Sequence, residues 1–150
     1  MSLLDSVADI EIKLYYKYIT VKGSKKLIII DNKKAEELLK AEELLKDEEK
    51  SKKIETLVTG WRMLTWKEQN EVTNLSSQAV NAQTGEKQFN YVTYRDSIIK
   101  RCLKTWNLTM NEKPVQVSDD MIDKLPGPVV FNLYEKFENL IDYNEEELKN

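Results

Sequence analysis

In Leu64-Thr65-Trp66-Lys67-Glu68-Gln69-Asn70-Glu71-Val72 the chain changes from alternating, extended segments to helical periodicity. Thr65 and Glu68 have the spacing of a capping box, in which the threonine hydroxyl accepts a hydrogen bond from the Glu68 amide and the glutamate carboxylate accepts one from the Thr65 amide. Leu64 stands at the hydrophobic-staple position just before the cap. We therefore expect a helix to begin at Thr65 and the fold to change character there.

The chain before this stretch has the patterns of a small antiparallel sheet. Residues 9–21 alternate apolar and polar side chains, and an apolar segment at residues 26–30 follows the short turn at residues 22–25, so we predict a β-hairpin. Residues 54–64 are rich in β-branched and aromatic side chains and are predicted to add a third strand.

A charged helix is predicted between the hairpin and the third strand, from about residue 33 into the low fifties. Its sequence Ala-Glu-Glu-Leu-Leu-Lys occurs at residues 35–40 and again at residues 41–46. A period of six does not match the helical turn of 3.6 residues, so the leucines drift around the helix instead of forming a coiled-coil seam. We expect a mostly solvated helix that touches the body of the protein along its leucines, with a docking helix for a partner as the alternative. These leucines are Leu38, Leu39, Leu44 and Leu45.

The chain after residue 64 is mainly helical in its periodicity. Helices are predicted from Thr65 to about Asn81 and from Tyr91 to Trp106, with a loop at residues 83–87 between them. A short extended connection at residues 111–117 leads into a short helix capped by Ser118, and a last amphipathic helix follows Pro128.

These elements predict an α+β fold, with a small antiparallel sheet made of the N-terminal hairpin and a third strand, and a mostly α-helical C-terminal half. The expected organisation is an N-terminal part at residues 1–64, a helical domain at residues 65–143 and an acidic flexible tail at residues 144–150.

Composition excludes several classes of chemistry. The chain has no histidine and a single cysteine, so zinc sites of the Cys/His type and catalysis by a histidine base are excluded. Cys102 lies in the apolar stripe of the helix from Tyr91 and is expected to be a core residue. Ser118 with Asp119, Asp120 and Asp123 is interpreted as a capped helix start and not as a metal site. We expect neither a metal nor another cofactor.

Charge and hydropathy also limit the partners. The net charge of −3 differs from the strongly basic footprint of a nucleic-acid binder, so no nucleic-acid partner is expected. The basic residues Arg95, Lys100, Arg101 and Lys104 are expected to form a solvated helix face, and Arg95 is expected to meet Glu68 or Asp96. The longest apolar run, at residues 27–30, is too short to span a bilayer, so no membrane partner is expected and a cytosolic location is the default.

Three segments follow one another between Trp61 and Ile141 in a pattern of residue types and spacings. They are Met63-Leu64-Thr65-Trp66-Lys67-Glu68-Gln69-Asn70-Glu71, then Tyr94-Arg95-Asp96-Ser97-Ile98-Ile99-Lys100-Arg101-Cys102-Leu103-Lys104-Thr105-Trp106, and Lys113-Pro114-Val115 leading into Met121-Ile122-Asp123-Lys124-Leu125-Pro126. This order of features resembles that of tail assembly chaperones and baseplate-hub assembly proteins of tailed bacteriophages. The similarity covers a little over half of the chain and contains no catalytic motif.

The resemblance implies a non-enzymatic protein that binds another phage tail protein, such as a tape-measure or hub protein, in the host cytoplasm during assembly. The contact is expected on apolar surface between the helix from Thr65 and the final helix, where aromatic residues would dominate the binding energy. The predicted anchors are Trp61, Trp66, Tyr134 and Phe137.

Two alternative functions stay open from the sequence. The chain could instead be a structural virion subunit of the tail, baseplate or neck that assembles by strand addition at the hairpin edge or by helix packing. A homo-oligomer is compatible with either role. A carboxylate-dependent hydrolase around Glu68, Glu71 and Arg95 would require a pocket enclosing these groups and raised carboxylate pKa values.

Overall fold

The structure is a computed structural model that describes residues 10–42, 54–81 and 83–141. Within these ranges the strands and helices follow one another in the order β1 (Ile10–Val21), β2 (Ser24–Ile30), α1 (Asn32–Glu42), β3 (Glu55–Trp61), α2 (Trp66–Ser76), β4 (Ser77–Asn81), β5 (Glu86–Phe89), α3 (Tyr91–Cys102), β6 (Leu103–Trp106), β7 (Thr109–Met110), β8 (Lys113–Pro114), α4 (Asp119–Lys124) and α5 (Gly127–Ile141).

The predicted hairpin and third strand are confirmed. Strands β1 and β2 pair antiparallel with Val21 opposite Ser24, so the turn between them has two residues. Lys22 and Gly23 both have positive φ, 50° and 84°, as a type I′ turn requires. Strand β3 pairs antiparallel with the other edge of β1, with Leu14 opposite Leu57.

A fourth strand, β6, completes the sheet in the order β2-β1-β3-β6. The prediction that the helix from Tyr91 continues to Trp106 is wrong, because α3 ends at Cys102 and the next four residues turn into this strand. Its pairing is non-local, with Trp106 opposite Thr59, and the Trp106 indole N–H donates to the Val115 carbonyl at 2.6 Å. Helical spacing of the apolar residues therefore continues past the residue at which the backbone leaves the helix.

The predicted helix from Thr65 begins as expected but is too long. Its capping box is present, with Thr65 and Glu68 in both reciprocal bonds, but α2 ends at Ser76 and not near Asn81. The Ser76 and Ser77 hydroxyls donate back to carbonyls one turn earlier, at 2.7 and 3.0 Å. Strands β4 and β5 then form a second hairpin around a turn at residues 83–85, where the sequence predicts a loop.

The remaining C-terminal elements follow the predictions closely. The predicted extended connection at residues 111–117 contains β8, which pairs with β7 immediately before it in a small hairpin. Ser118 caps α4 by accepting a hydrogen bond from the Met121 amide at 3.2 Å. Helix α5 begins at Gly127, so Pro128 lies in its first turn as expected.

The main core lies between one face of the sheet and α2, α3, α4 and α5. The core contains residues from before and after the predicted boundary at residue 64. Leu14 and Trp61 of the sheet belong to the same buried cluster as Val72, Cys102 and Leu133. Cys102 is fully buried, as the sequence predicts. The fold is therefore α+β, with four strands and helices from both halves of the chain around one cluster.

The opposite face of the sheet is covered by α1. Ala35 is fully buried with Tyr15, Ile30 and Ile54, and Leu39 packs against them. Leu38 is exposed, so only part of the predicted leucine contact is made. The rest of the predicted helix lies outside the described residues, at positions 43–53 that include Leu44 and Leu45. The acidic tail also lies outside them. Among the helices described, none combines the length and apolar character needed to cross a membrane.

Candidate protein-binding surface

Three of the four predicted contact residues lie inside the protein. Trp61 is 0% exposed, Phe137 1% and Tyr134 3%, whereas Trp66 is 79% exposed. Residues that are enclosed in the core cannot contact a partner on the surface. The interpretation of Trp61, Tyr134 and Phe137 as contact residues is therefore wrong, and only Trp66 is placed where a partner can reach it.

Trp61 is a core residue because it is the last residue of β3 and points to the helical side of the sheet. Its ring stacks on Phe137 of α5, with 4.7 Å between the ring centroids. Its indole N–H donates to the Thr59 hydroxyl at 2.7 Å, and that hydroxyl donates to the Ile12 carbonyl at 2.7 Å. The polar atom of a large buried ring is thus satisfied, which is the usual condition for burying tryptophan.

Trp66 stays exposed because the helix offers its ring no apolar neighbours. It is the first residue of α2, directly after the Thr65 cap. Its neighbours one turn along the helix, at the third and fourth positions, are the amides Gln69 and Asn70. The main stripe of α2 enters the core through Val72 on another side of the helix.

A small recess lies between the end of β3, α3 and α5, next to the face of α2 that carries Gln69. Its volume is about 80 Å³, and its lining is mixed, with Met63, Leu64, Tyr94 and Phe137 beside the charged Glu138. Met63 is 46% exposed. Gln69 also lines it and donates to the Tyr94 hydroxyl at 3.1 Å, which joins the face of α2 below Trp66 to α3. The recess occupies the region between α2 and the final helix at which the sequence predicts a contact.

Aromatic rings extend this apolar region along the start of α3. Tyr94 lies 5.3 Å from Phe89 and 6.3 Å from Tyr91, measured between ring centroids. Phe89 and Tyr91 are both about half exposed. Burial, together with a side-chain hydrogen bond to Tyr91, raises the pKa of Tyr134. We call the group formed by Met63, Trp66, Phe89, Tyr91 and Tyr94 the aromatic surface.

Phe89 and Tyr91 are contact candidates that sequence reasoning missed. They flank Asn90, which caps α3 by accepting a hydrogen bond from the Thr93 amide at 3.0 Å. A large ring next to a helix cap lies at the end of the helix, where the apolar stripe of the helix is incomplete. Phe89 and Tyr91 have this position beside Asn90, and Trp66 has it beside Thr65. This position beside a cap is the signal in the sequence that separates these exposed rings from Trp61 and Phe137.

Arg62 and Glu68 fix the backbone next to the aromatic surface. The guanidinium of Arg62 binds both carboxylate oxygens, at 2.7 and 2.5 Å, and the carboxylate also accepts from the Thr65 amide at 3.2 Å. The hydrogen bonds from Arg62 lower the pKa of Glu68 from 4.5 to about 2, and those from Thr65 add to this effect. Trp66 is thus carried on a rigid helix start.

The charges of the proposed hydrolase site are not assembled as that hypothesis requires. Glu68 has a lowered and not a raised pKa, and Glu71 pairs with Arg101 at 2.8 Å. The prediction that Arg95 meets Glu68 or Asp96 is wrong, since its guanidinium lies over the Phe131 ring, 5.5 Å from the centroid. Glu68, Glu71 and Arg95 therefore each have a separate structural partner.

The predicted basic face of α3 is also largely neutralised. Lys100 pairs with Asp96 at 3.2 Å and with Asp123 at 3.0 Å, and Arg101 pairs with Glu71. Asp123 is thereby engaged by a lysine. A search of the described ranges for three or more clustered histidine, cysteine, aspartate or glutamate residues able to hold a metal ion finds none.

A larger cleft than this recess lies elsewhere, between β1, the start of α1 and α5, and has a volume of about 1180 Å³. Within it, the Lys136 amine donates to the Lys13 carbonyl at 3.2 Å and to the Asn32 side-chain oxygen, and burial lowers the pKa of this lysine. Lys136 is thus engaged by the walls of the cleft, which also contain Glu11 and Asp31. No protein-family model matches the chain, and neither the curated proteins nor the solved structures yield a match.

Proposed function

We propose that this chain is a non-enzymatic assembly protein of the tail or baseplate of a tailed bacteriophage, acting as a chaperone that binds another tail component. The observation that carries the proposal is the 79% exposure of Trp66, which lies three residues along the chain from both Met63 and Gln69, two lining residues of the recess. The resemblance of the segment from Trp61 to Ile141 to tail and baseplate assembly proteins supplies the biological setting.

The energetics favour a contact at this place. A tryptophan side chain carries a large apolar area, and covering it removes on the order of 150–250 Å² from water. At about 25 cal/mol for each Å², burying Trp66 alone would contribute several kcal/mol to a complex. Single exposed apolar residues are normal on proteins, but adjoining ones mark interaction sites. Met63 lines the recess, and Phe89 and Tyr91 lie against the Tyr94 ring, which lines it too. Trp66 follows Met63 by three residues in the chain.

The shape of the surface suits an apolar segment of a partner. The recess accepts a partner side chain of modest size, and the neighbouring aromatic rings can cover the sides of that side chain. Gln69 and the tyrosine hydroxyls supply polar atoms at the rim, the usual position for polar groups in an interface. A chaperone of this kind would shield an apolar segment of the tail protein from water until assembly places that segment against its final neighbour.

Co-purification with identified tail proteins tests the proposal. The full chain, carrying an affinity tag, would be co-expressed with phage tape-measure and hub proteins, and the captured proteins would be identified by mass spectrometry. We expect one of these proteins to be retained by the wild-type chain and lost with Trp66→Ala. Capture of none of them, or equal capture by Trp66→Ala, contradicts the proposal.

Leu75→Ala is the matched control for this experiment. Leu75 is 57% exposed on the same helix, and it follows Trp66 by nine residues, which places it roughly 180° around the helix. The substitution removes exposed apolar area from α2 without touching the aromatic surface. Capture should therefore be unchanged in this variant.

A second candidate function is a structural subunit of the virion, and the edge of the sheet favours it. Strand β2 is an outer strand of the four-stranded sheet and contains Leu27-Ile28-Ile29-Ile30. Such an edge can add a strand from a neighbouring subunit. Mass spectrometry of purified particles separates the two roles, because a chaperone is absent from mature virions whereas a structural subunit is present.

A further inference from the structure

The outer edge of β2 has a backbone pattern that another strand can complete. In a hairpin with a two-residue turn, the residues flanking the turn are a hydrogen-bonded pair, and bonded and non-bonded pairs then alternate. Since Val21 pairs with Ser24, every second residue of β2, starting at Ser24, points its backbone N–H and C=O groups towards β1. These residues are Ser24, Lys26, Ile28 and Ile30. The backbone N–H and C=O groups of Lys25, Leu27 and Ile29 point away from β1, to the free edge of the sheet. Across the described ranges, no backbone hydrogen bond to this outer edge is found.

The neighbouring helix leaves the edge accessible. Helix α1 starts directly after β2, but it runs beneath the sheet towards β3, because Ala35 and Leu39 pack with Tyr15 and Ile54. Leu27, Ile28 and Ile29 are only half buried in the single chain. An apolar strand with unpaired backbone groups is unfavourable in water and favours strand addition.

The sequence of this edge is complementary to itself. If two β2 strands lie antiparallel about a two-fold axis at Ile28, each Leu27 faces Ile29 of the second copy and the two Ile28 residues face each other. The same register places Lys25 opposite Asp31 of the second copy, at both ends of the paired region. Apolar pairs and opposite charges across strands are the combinations that stabilise antiparallel sheets.

Both members of this charge pair are available. The cross-strand neighbour of Lys25 on β1 is Thr20, and Lys25 makes no ion pair among the residues that the structure describes. Asp31 uses one oxygen, Oδ1, to accept from the amides of Lys33 and Lys34 at 3.0 and 3.3 Å. Its second oxygen, Oδ2, accepts no hydrogen bond from the described residues, and the Asp31 charge also acts on the Lys136 amine across the cleft.

We propose that two copies of this chain pair antiparallel through β2, centred on Ile28, and form one continuous sheet. The outward backbone groups of Leu27 and Ile29 form the central hydrogen bonds, and the Lys25–Asp31 pairs fix the register. A shift by one residue would put the apolar side chains on opposite faces of the sheet, and a shift by two would separate the charge pairs. The inference concerns the chain itself and does not depend on the tail-assembly proposal.

Sedimentation equilibrium of the purified full chain tests the association. The wild-type chain is expected to reach a mass near twice 17.6 kDa as its concentration rises. Leu27→Pro removes an N–H that points away from β1, and it should shift the equilibrium to the monomer. A chain that stays monomeric at all concentrations overturns the proposal, as does a dimer that is weakened by Trp66→Ala.

Two adjacent lysines provide a test that leaves the fold intact. Lys25→Glu places two glutamates opposite two aspartates, and it should raise the dimer dissociation constant about tenfold. Lys26→Glu is the control with the same charge change, because its partner in this register is Ile30. Adding Asp31→Asn to Lys25→Glu should restore association, since asparagine can still cap α1. Equal effects of the two lysine variants overturn the register.

Disulfide cross-linking tests the register independently. The two Ile28 residues would form a non-hydrogen-bonded pair with Cα atoms about 4.5 Å apart, within the range of a disulfide. Ile28→Cys should therefore yield a covalent dimer on mild oxidation. Lys26→Cys should not, because four residues of strand separate its two copies. Cys102 is fully buried and gives little background. Cross-linking through Lys26→Cys but not Ile28→Cys contradicts the proposal.

Discussion

Arg62 binds Glu68 through both of its terminal nitrogens, Nη1 to Oε1 at 2.7 Å and Nη2 to Oε2 at 2.5 Å. The same carboxylate closes the capping box of α2 with Thr65. The backbone N–H of Arg62 donates to the Cys102 carbonyl at 2.9 Å, where α3 ends. The ion pair thus connects the end of β3 to the start of α2, and the backbone hydrogen bond of Arg62 connects the same point to the end of α3.

Removing the charge of Glu68 should destabilise the fold. Glu68→Gln keeps a residue that can serve in a capping box but loses the bidentate ion pair, so we expect the free energy of unfolding to fall by about 2 kcal/mol. Urea denaturation of the wild type and the variant measures the difference. Glu71→Gln is the control, because its pair with Arg101 is more exposed and is worth about 0–1 kcal/mol. Equal losses in both variants would rule out a special role for Glu68.

The same carboxylate predicts a pH dependence. Its pKa is lowered from 4.5 to about 2 in the folded chain, so the unfolded chain binds more protons between these values. The stabilisation by Glu68 is therefore complete above pH 4.5 and is lost as the pH falls towards 2. The difference in unfolding free energy between the wild type and Glu68→Gln should shrink across this window. A difference that stays constant from pH 6 to pH 2 contradicts the assignment.

Gly60 should tolerate no larger residue unless Thr105 changes as well. A Cβ at Gly60 would overlap the Thr105 hydroxyl oxygen on β6. Gly60→Ala is therefore expected to cost about 1–2 kcal/mol of unfolding free energy, and adding Thr105→Ala should recover most of it. Thermal denaturation of the single and double variants gives the coupling. At Gly127 a Cβ meets nothing within 4 Å, so Gly127→Ala should cause no comparable loss.

The two tryptophans near the capping box should behave in opposite ways. Trp61→Ala removes a buried ring stacked on Phe137 and should lower the free energy of unfolding by about 3–5 kcal/mol. Trp66→Ala removes an exposed ring and should change it by less than about 0.5 kcal/mol. Chemical denaturation followed by circular dichroism makes the comparison. A large loss with Trp66→Ala would show that Trp66 is a structural residue.

The features of the fold that depend on local sequence could be predicted. The type I′ turn at Lys22 and Gly23, the Thr65 cap and the Ser118 cap each depend on a few neighbouring residues. Strand β6 could not be predicted, because Leu103 and Trp106 continue the helical spacing of α3 and only the pairing with β3 makes them a strand. Whether an aromatic ring is exposed or buried likewise depends on residues that are distant in the sequence.

For the candidate surface, a recess lies in the region where the sequence predicts a contact, but three of the four predicted contact residues are buried. The contact was expected between α2 and the final helix, and a recess lies there. Phe137 and Tyr134 belong to the apolar face of α5, and an apolar face of this kind usually packs inward. Trp66 lies outside any such stripe, and that is why it remains on the surface.

The central claim, that Trp66 and its neighbours bind another tail protein, is tested most directly by the dissociation constant of that complex. Isothermal titration of the co-purified tail component should give an affinity for the wild-type chain that falls roughly thirtyfold with Trp66→Ala, the effect of losing a central interface residue. Leu75→Ala should change it less than about twofold, as expected for a residue outside the interface. Equal affinities for the wild type and Trp66→Ala, or no binding to any tail component, would contradict the account.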